Sequence, residues 1–276
     1  AHPGTALLVG KLIATAVQKC GLPEGAFSLL FGEGRTTGQA LVTNPIIRAV
    51  GFTGSRTGGR ALFDLASQRR DPIPVFAEMS SINPIFLLPE LTQDEFDKIA
   101  DGLFLSATMG VGQFCTNPGV LLALKGECFT ALQDAAVKAL NAAAEQKMLT
   151  DSIHTAYHDG ISKFARSAQE ITDGQRAQNP RHSRAAGFRV DASTWLNTPS
   201  LHEEVFGAAG IFVECDSEQQ MMQVAQELQG QLTITLQMEE SDTDLAKALL
   251  PIIEEKAGRI LCNGFPTGVE VSSAMM

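Results

Sequence analysis

Several features are missing from this chain, and each absence closes off a class of function. There is no Cys-x-x-Cys pair and no histidine cluster at ligand spacing, and the five cysteines (Cys20, Cys115, Cys128, Cys215, Cys262) lie far apart. A disulfide framework and a structural zinc are therefore not expected, and no metal ligand is assigned. Positive charge is scarce: 21 Lys and Arg stand against 31 Asp and Glu, for a formal charge of −10. With no basic stripe either, binding to a nucleic-acid backbone is not expected. No apolar run approaches the ~20 residues that a membrane helix needs, and the first residues do not read as a cleavable signal. Those two absences give the expectations of no membrane partner and a cytoplasmic setting. No internal repeat or low-complexity tract is found.

What remains is the composition of an ordinary globular protein. The 276 residues are 44% hydrophobic and 19% charged, enough apolar material for a sizeable core. Single cores stop growing near ~250 to 300 residues, so two linked cores are expected.

Apolar periodicity predicts a helix over Thr5 to Lys19, stopped by Gly21-Leu22-Pro23. Ala26 to Phe31 reads as a buried strand, followed by Gly32, Gly34 and Gly38 and a short helix near Gln39 to Val42. A second strand at Arg48 to Phe52, a Thr53-Gly54-Ser55 turn and a helix from about Gly59 to Ser67 repeat the pattern. Strand, glycine turn and helix in succession is the grammar of parallel strands with crossover helices. Pro72-Ile73-Pro74 marks a break, followed by strands at Val75 to Ala77 and Ile85 to Leu88. Downstream, helices are predicted over Asp94 to Thr108, Phe129 to Lys147 and Glu218 to Leu228, with a last helix preceding Arg259 to Cys262. Strands are predicted at Val120 to Leu124, Gly210 to Glu214, Leu232 to Leu236 and Arg259 to Cys262, with a polar, irregular stretch over Gly174 to Ala186. The expected fold class is α/β: a doubly wound opening domain over residues 1–76 and a second α/β domain over residues 77–276.

Glycine turns after buried strands let backbone N–H groups approach a pyrophosphate at a helix N-terminus. Gly32-x-Gly34 and Gly54-Ser55 qualify, although Gly32, Gly34, Gly38 is not the usual dinucleotide spacing and tight turns alone also explain such glycines. Cys115 lies in Gly112-Gln113-Phe114-Cys115-Thr116-Asn117-Pro118-Gly119, a loop context and not an apolar stripe. Cysteine is the best side-chain nucleophile, while an isolated cysteine is more often a small buried hydrophobe, the reading kept for the other four. Glu78 falls at the end of an apolar run, where partial burial would raise a carboxyl pKa toward general-base work; the bland alternative is a surface or capping glutamate. Glu203 and Glu204 read in isolation as a solvated acidic pair. No role is assigned to His154, His158 or His202.

Taken in order, Phe52-Thr53-Gly54-Ser55, Glu78 before Ser81-Ile82-Asn83-Pro84, Gly112-Gln113-Phe114-Cys115-Thr116 and Glu203-Glu204-Val205-Phe206-Gly207 resemble the aldehyde dehydrogenase superfamily. The stretches Pro74 to Glu78, Ser81 to Pro84 and Gly264 to Val271 are most similar to its α-ketoglutaric semialdehyde (2,5-dioxovalerate) dehydrogenase branch. The resemblance implies that residues 1–76 are the C-terminal part of a partial Rossmann-like dinucleotide-binding (cofactor-binding) domain and residues 77–276 an α/β catalytic domain, with Cys115 as nucleophile, Glu78 as the base that activates hydrolytic water, and Glu204 and Phe206 as contacts of the nicotinamide riboside. It also implies Gly32, Gly54, Ser55 and Gly59 near the cofactor, which is NADP or NAD with a leaning to NADP. A small aldehyde is the expected partner, and a homo-oligomer is expected of the full-length protein. Two departures stand out: Ser80-Ser81 where family members usually carry Gly-Gly, and Ala208 in place of a frequent proline. By the same resemblance, the family's ribose-binding lysine and oxyanion-donating asparagine would lie before Ala1 and its oligomerisation strand after Met276. The alternative function is therefore a catalytically inert folded fragment, serving as a structural or subunit-interaction module.

Overall fold

A computed structural model describes residues 2–268. Val269, Glu270 and Val271 of the expected closing motif lie outside the described residues. The chain divides into two compact units, the first ending at Met79 and the second beginning at Ser80; sequence patterning had put the boundary between residues 76 and 77.

In the first unit, α1 (Pro3–Lys19) opens with proline in its first turn, where the missing N–H costs nothing. It ends on Gly21 at φ +64°, with Gly21 N–H donating to Gln18 O and Leu22 N–H to Val17 O, the double carbonyl cap that a glycine permits. A second helix, α2 (Gly34–Thr43), precedes β1 (Val50–Thr53), α3 (Arg56–Ser67) and β2 (Val75–Glu78). The two strands pair in parallel, with Val50 opposite Val75 and Thr53 opposite Glu78, and α3 is the crossover between them. The expected strand over Ala26 to Phe31 does not form: the segment has no ladder partner among the described residues and exposes Leu29, Leu30 and Phe31. An apolar run without a neighbouring strand has nothing to satisfy its backbone, so the first of the two strand–turn–helix readings is corrected to turn and helix alone.

The second unit is built on a seven-stranded sheet in the order β11-β10-β3-β4-β9-β8-β6. Its strands are β3 (Ile85–Leu87), β4 (Val120–Leu124), β6 (Gln169–Glu170), β8 (Ala186–Asp191), β9 (Ala209–Cys215), β10 (Gln231–Gln237) and β11 (Ala257–Cys262). Neighbours run parallel except β6, which lies antiparallel to β8. Successive side chains point to opposite faces, and the core divides accordingly. Ile85, Leu87, Leu121, Ala123 and Phe212 pack on one face against α4 (Gln93–Thr108) and α5 (Glu127–Ala142). Phe86, Leu122, Ile211 and Val213 pack on the other against α6 (Asp151–Phe164), α7 (Ala192–Asn197), α8 (Glu218–Glu227) and α9 (Thr243–Glu254). Both faces are covered, which is why the strands read as unbroken apolar runs.

Helix α5 stops well short of the expected Lys147. Arg184 captures the carbonyl of Asn141 at 2.7 Å, and Gln146 and Lys147 become the short strand β5, paired with β7 (His182–Ser183). Tertiary capture of the last carbonyls overrides alanine's helix propensity. Helix α6 and strand β8 escaped the sequence reading, although Thr150 caps α6 through Ile153 N–H and Tyr157, Ile161 and Phe164 recur on its buried face. Among the described residues no helix is long and apolar enough to cross a membrane. Nor do three or more His, Cys, Asp or Glu side chains gather as a metal set among them.

Candidate active site

Parallel strands send the segments that precede them to one edge of the sheet, and in the second unit that edge collects the chemistry. Ser80 to Asn83 lead into β3, the Cys115 loop leads into β4, and Glu204 to Ala208 lead into β9. Backbone bonds knit these entries together: Gly119 N–H donates to Ile82 O at 2.9 Å, and Ile211 N–H to Gly119 O at 2.9 Å.

Asn83 is the hub of this edge. It is 1% exposed and held at φ +41°, a conformation asparagine tolerates better than most residues. Its Nδ2 donates to Cys115 O at 2.8 Å and to Asn117 O at 2.9 Å. Its Oδ1 accepts from Thr233 N–H at 3.2 Å and Thr233 Oγ1 at 3.0 Å. Ser81 Oγ lies 2.8 Å from Asn83 Oδ1 and 2.9 Å from Gln231 Oε1, its one proton serving either, and it accepts from Leu232 N–H at 3.0 Å. Gln231 Oε1 also accepts from Ile82 N–H at 2.7 Å. Sequence reading assigned no role to Asn83, Gln231 or Asn117; the Asn-Pro dipeptide at 83–84 was a turn signal, but the long-range partners were invisible.

Cys115 is exposed on its loop, and its carbonyl is gripped by Asn83. Upstream the backbone turns through Gly110 at φ +57°, Val111 at φ +63° and Gly112 at φ +65°. A β-branched residue in that region is a true outlier, and such strain concentrates at functional sites. A Cβ on Gly112 would run into the backbone of Gly207 and Ala208, so a glycine is what lets the Cys115 loop and the Glu204 loop touch. The contact is fastened by Asn117 Nδ2 donating to Gly207 O at 3.2 Å. Gly112, Phe114, Asn117, Glu204 and Phe206 line a small cavity that opens to solvent.

Glu204 is half-buried, and burial pushes its carboxyl up from the ordinary value, opposed by hydrogen bonds from the Ser80 side chain and the Ser81 N–H. Its neighbour Glu203 turns outward to pair with Lys163 at 3.0 Å. The acidic pair is thus split by burial and pairing: both residues border the cavity, but Glu203 is exposed and paired while Glu204 is half-buried. Asn117 is 8% exposed, and its Oδ1 has no hydrogen-bond partner among the described residues.

The remaining expected site residues belong to the first unit. Glu78 closes β2, and its carbonyl accepts from Gly54 N–H at 3.1 Å. It is exposed and not partly buried as expected: the pleat turns Val75 and Ala77 inward and Phe76 and Glu78 outward. Ser55 caps α3 by accepting from Gly58 N–H at 3.2 Å, the ordinary way a helix start is satisfied. Gly59 lies where a Cβ would come within 2.6 Å of the Met79 side chain, and Gly32, exposed ahead of α2, makes room for Thr37.

Comparison with known proteins adds to this geometry. Residues 2–273 match the Aldehyde dehydrogenase family. The chain is 48% identical to alpha-ketoglutaric semialdehyde dehydrogenase 2 of Azospirillum brasilense, over 100% of this chain and 53% of that protein. It is 41% identical to alpha-ketoglutaric semialdehyde dehydrogenase of Acinetobacter baylyi, over 100% of this chain and 52% of that protein. The chain thus spans about half the length of the curated relatives it matches. Among solved structures, an NAD-dependent aldehyde dehydrogenase from Sinorhizobium meliloti superposes with a TM-score of 0.78 at 22% identity, over 96% of this chain and 52% of that one. That likeness is one of fold.

Proposed function

The chain belongs to the aldehyde dehydrogenase family, and from that premise we propose that it supplies the cysteine, the base and part of the cofactor site for NAD(P)-dependent oxidation of an aldehyde to the carboxylate. The observation that carries this reading is the meeting, at one edge of the second unit's sheet, of an exposed cysteine loop with a cavity lined by Glu204, Phe206 and Asn117. α-Ketoglutaric semialdehyde is the proposed substrate, supported by the names of the 48% and 41% identical relatives.

The cavity suits a nicotinamide riboside. Glu204 and Asn117 Oδ1 offer acceptor capacity to a ligand rich in hydroxyl and amide donors, and Phe206 offers apolar surface. Glu204 and Phe206 would hold the riboside, while Gly32, Gly54, Ser55 and Gly59 would serve the rest of the dinucleotide around α3. When bound, the nicotinamide supplies an acceptor for hydride.

Cys115, as thiolate, adds through Sγ to the aldehyde carbon, and the C–S bond forms as the carbonyl oxygen takes the negative charge. Loss of hydride from that carbon leaves a thioester on Cys115. Glu78 then takes a proton from water as the water oxygen adds to the thioester carbonyl; the C–S bond breaks, the thiolate returns, and the carboxylic acid departs and gives its proton to solvent, as Glu78 does in turn. NADP is the proposed cofactor over NAD, and the complete protein is proposed to act as a homo-oligomer. The test is direct: the intact protein is mixed with α-ketoglutaric semialdehyde and either NADP⁺ or NAD⁺. Reduced cofactor should accumulate, faster with NADP⁺. Its absence with both would sink the reading, and a faster NAD⁺ reaction would overturn the cofactor preference alone.

A further inference from the structure

The cysteine loop is a turn, and one peptide of it is held from outside. Asn117 N–H donates to Phe114 O at 3.0 Å, closing four residues with Cys115 and Thr116 in the middle. The Cys115–Thr116 peptide is the unit of such a turn that rotates when one common turn type becomes the other, while the closing bond stays made. The rotated form needs a positive φ at the third residue, which the β-branched Thr116 resists. The second restraint is Asn83. Its Nδ2 donates to Cys115 O, the oxygen that would swing, at 2.8 Å, and to Asn117 O at 2.9 Å.

Asn83 is itself fixed from the opposite side. Its Oδ1 accepts from the N–H and the Oγ1 of Thr233, and its backbone N–H donates to Gln231 Oε1 at 3.2 Å, both residues of β10. A line of hydrogen bonds thus runs from the start of β10, through one buried amide, to the carbonyl of the nucleophile. The angle between a residue's carbonyl and its Cβ is set by ψ, so a gripped Cys115 O fixes the direction in which Cβ leaves the loop. Sγ is then one rotatable bond away, with three staggered positions to choose from.

We propose that Asn83 is a positioning residue for the nucleophile: its side-chain amide, anchored on β10, fixes ψ of Cys115 and with it the direction from which Sγ meets the aldehyde carbon. This rests on the reading of Cys115 as nucleophile and goes beyond it, by naming the group that aims the thiolate. Without that amide the thiol is still present and accessible but points over a wider range, and an attacking atom displaced by about 1 Å loses on the order of 10² in rate.

The experiment follows reduced cofactor after rapid mixing of the intact protein with NADP⁺ and α-ketoglutaric semialdehyde, for wild type, Asn83→Gly, Asn83→Asp and Thr233→Val. Glycine accepts the φ of +41° at position 83 without offering an amide. Aspartate keeps the shape and the Thr233 bonds but turns a two-donor group into an acceptor. Both should slow the burst by about 10²-fold, while NADP⁺ affinity stays within about twofold of wild type. Thr233→Val removes one anchor of Oδ1 and leaves the Thr233 N–H and both Nδ2 bonds, so its burst should remain within about threefold of wild type although its Tm falls. Alkylation of Cys115 by iodoacetamide is read by peptide mass spectrometry, because Cys20, Cys128 and Cys262 are exposed as well. In both Asn83 variants it should stay within about threefold of wild type, since a small reagent needs the thiolate and not its aim. A burst at the wild-type rate in Asn83→Gly would overturn the proposal alone. So would equal slowing by Thr233→Val, or Cys115 alkylation changed as much as the burst, because either marks a general disturbance of the loop. No reduced cofactor from wild type would remove the nucleophile reading and the proposal with it.

Discussion

The two compact units differ in how firmly they hold the residues they contribute. In the first, the sheet has two strands, Val42 and Ala66 are the buried hydrophobics among the described residues, and Leu8, Leu12, Leu30, Phe31, Ile46 and Phe76 are exposed. The second wraps seven strands in helices on both faces and buries aromatic residues such as Phe86, Tyr157 and Trp195 almost completely. Glu78 sits at the outer end of a strand in the thin unit; Cys115 sits on a loop whose carbonyl is tied to a buried asparagine in the thick one. Chemistry and stability should therefore separate differently in the two. Near Glu78 a substitution changes the reaction with little cost to folding, whereas the residues that support Cys115 carry both.

That contrast can be broken in four ways. Replacing Cys115 by Ala should have the largest effect, reducing dehydrogenase turnover by about 10⁴-fold or more while cofactor affinity stays within about twofold and Tm is unchanged, since the side chain is exposed. Retained turnover would remove the nucleophile assignment. Glu78→Gln should lower steady-state turnover by about 10²- to 10³-fold and leave a burst of reduced cofactor, because thioester release suffers more than hydride loss. Rapid-mixing absorbance would reveal the burst, and normal turnover would count against the base. Thermal unfolding of this variant should match wild type.

Asn83→Ala tests the thick unit's side of the comparison. It unmakes the bonds to Cys115 O, Asn117 O and Thr233 together, at a cost of about 2 to 4 kcal/mol, visible as a Tm lowered by about 5 to 15 °C. A Tm shift no larger than that of Glu78→Gln would erase the distinction between the units. The smallest effect concerns Glu204. Its folded pKa is raised, chiefly by burial, so its contribution to stability is fully present below the unfolded value of about 4.3 and is lost as pH rises through the folded value. Glu204→Gln removes that loss, and its Tm advantage over wild type should grow by about a degree or two on going from acid to neutral pH. A constant difference across pH would rule out burial as the cause.

Much of the second unit was legible from local pattern. β4 (Val120–Leu124) forms over the residues expected, and the strands around Ile85, Gly210 and Leu232 differ from expectation only at their ends, because a strand buried on both faces shows as a short apolar run bounded by turns. The same rule failed at Ala26 to Phe31, where the run exists but a neighbouring strand does not. It failed again past Ala142, where an arginine forty-three positions away in the chain ends the helix. Cys115 and Glu204 were legible as residues of a motif; that Asn117 of the first would fasten to Gly207 of the second was not, because nothing local to either segment reports on the other.

Composition and spacing by themselves determined the class of protein, the α/β grammar and the order of the chemical groups along the chain, since these depend on side-chain type and on periodicities of two and 3.6 that a linear string displays. Tertiary structure alone decided which groups meet. Parallel strands carry their entry loops to a common edge, and only there do Asn83, Asn117 and Gly207, far apart in sequence, become one hydrogen-bonded surface beside Cys115.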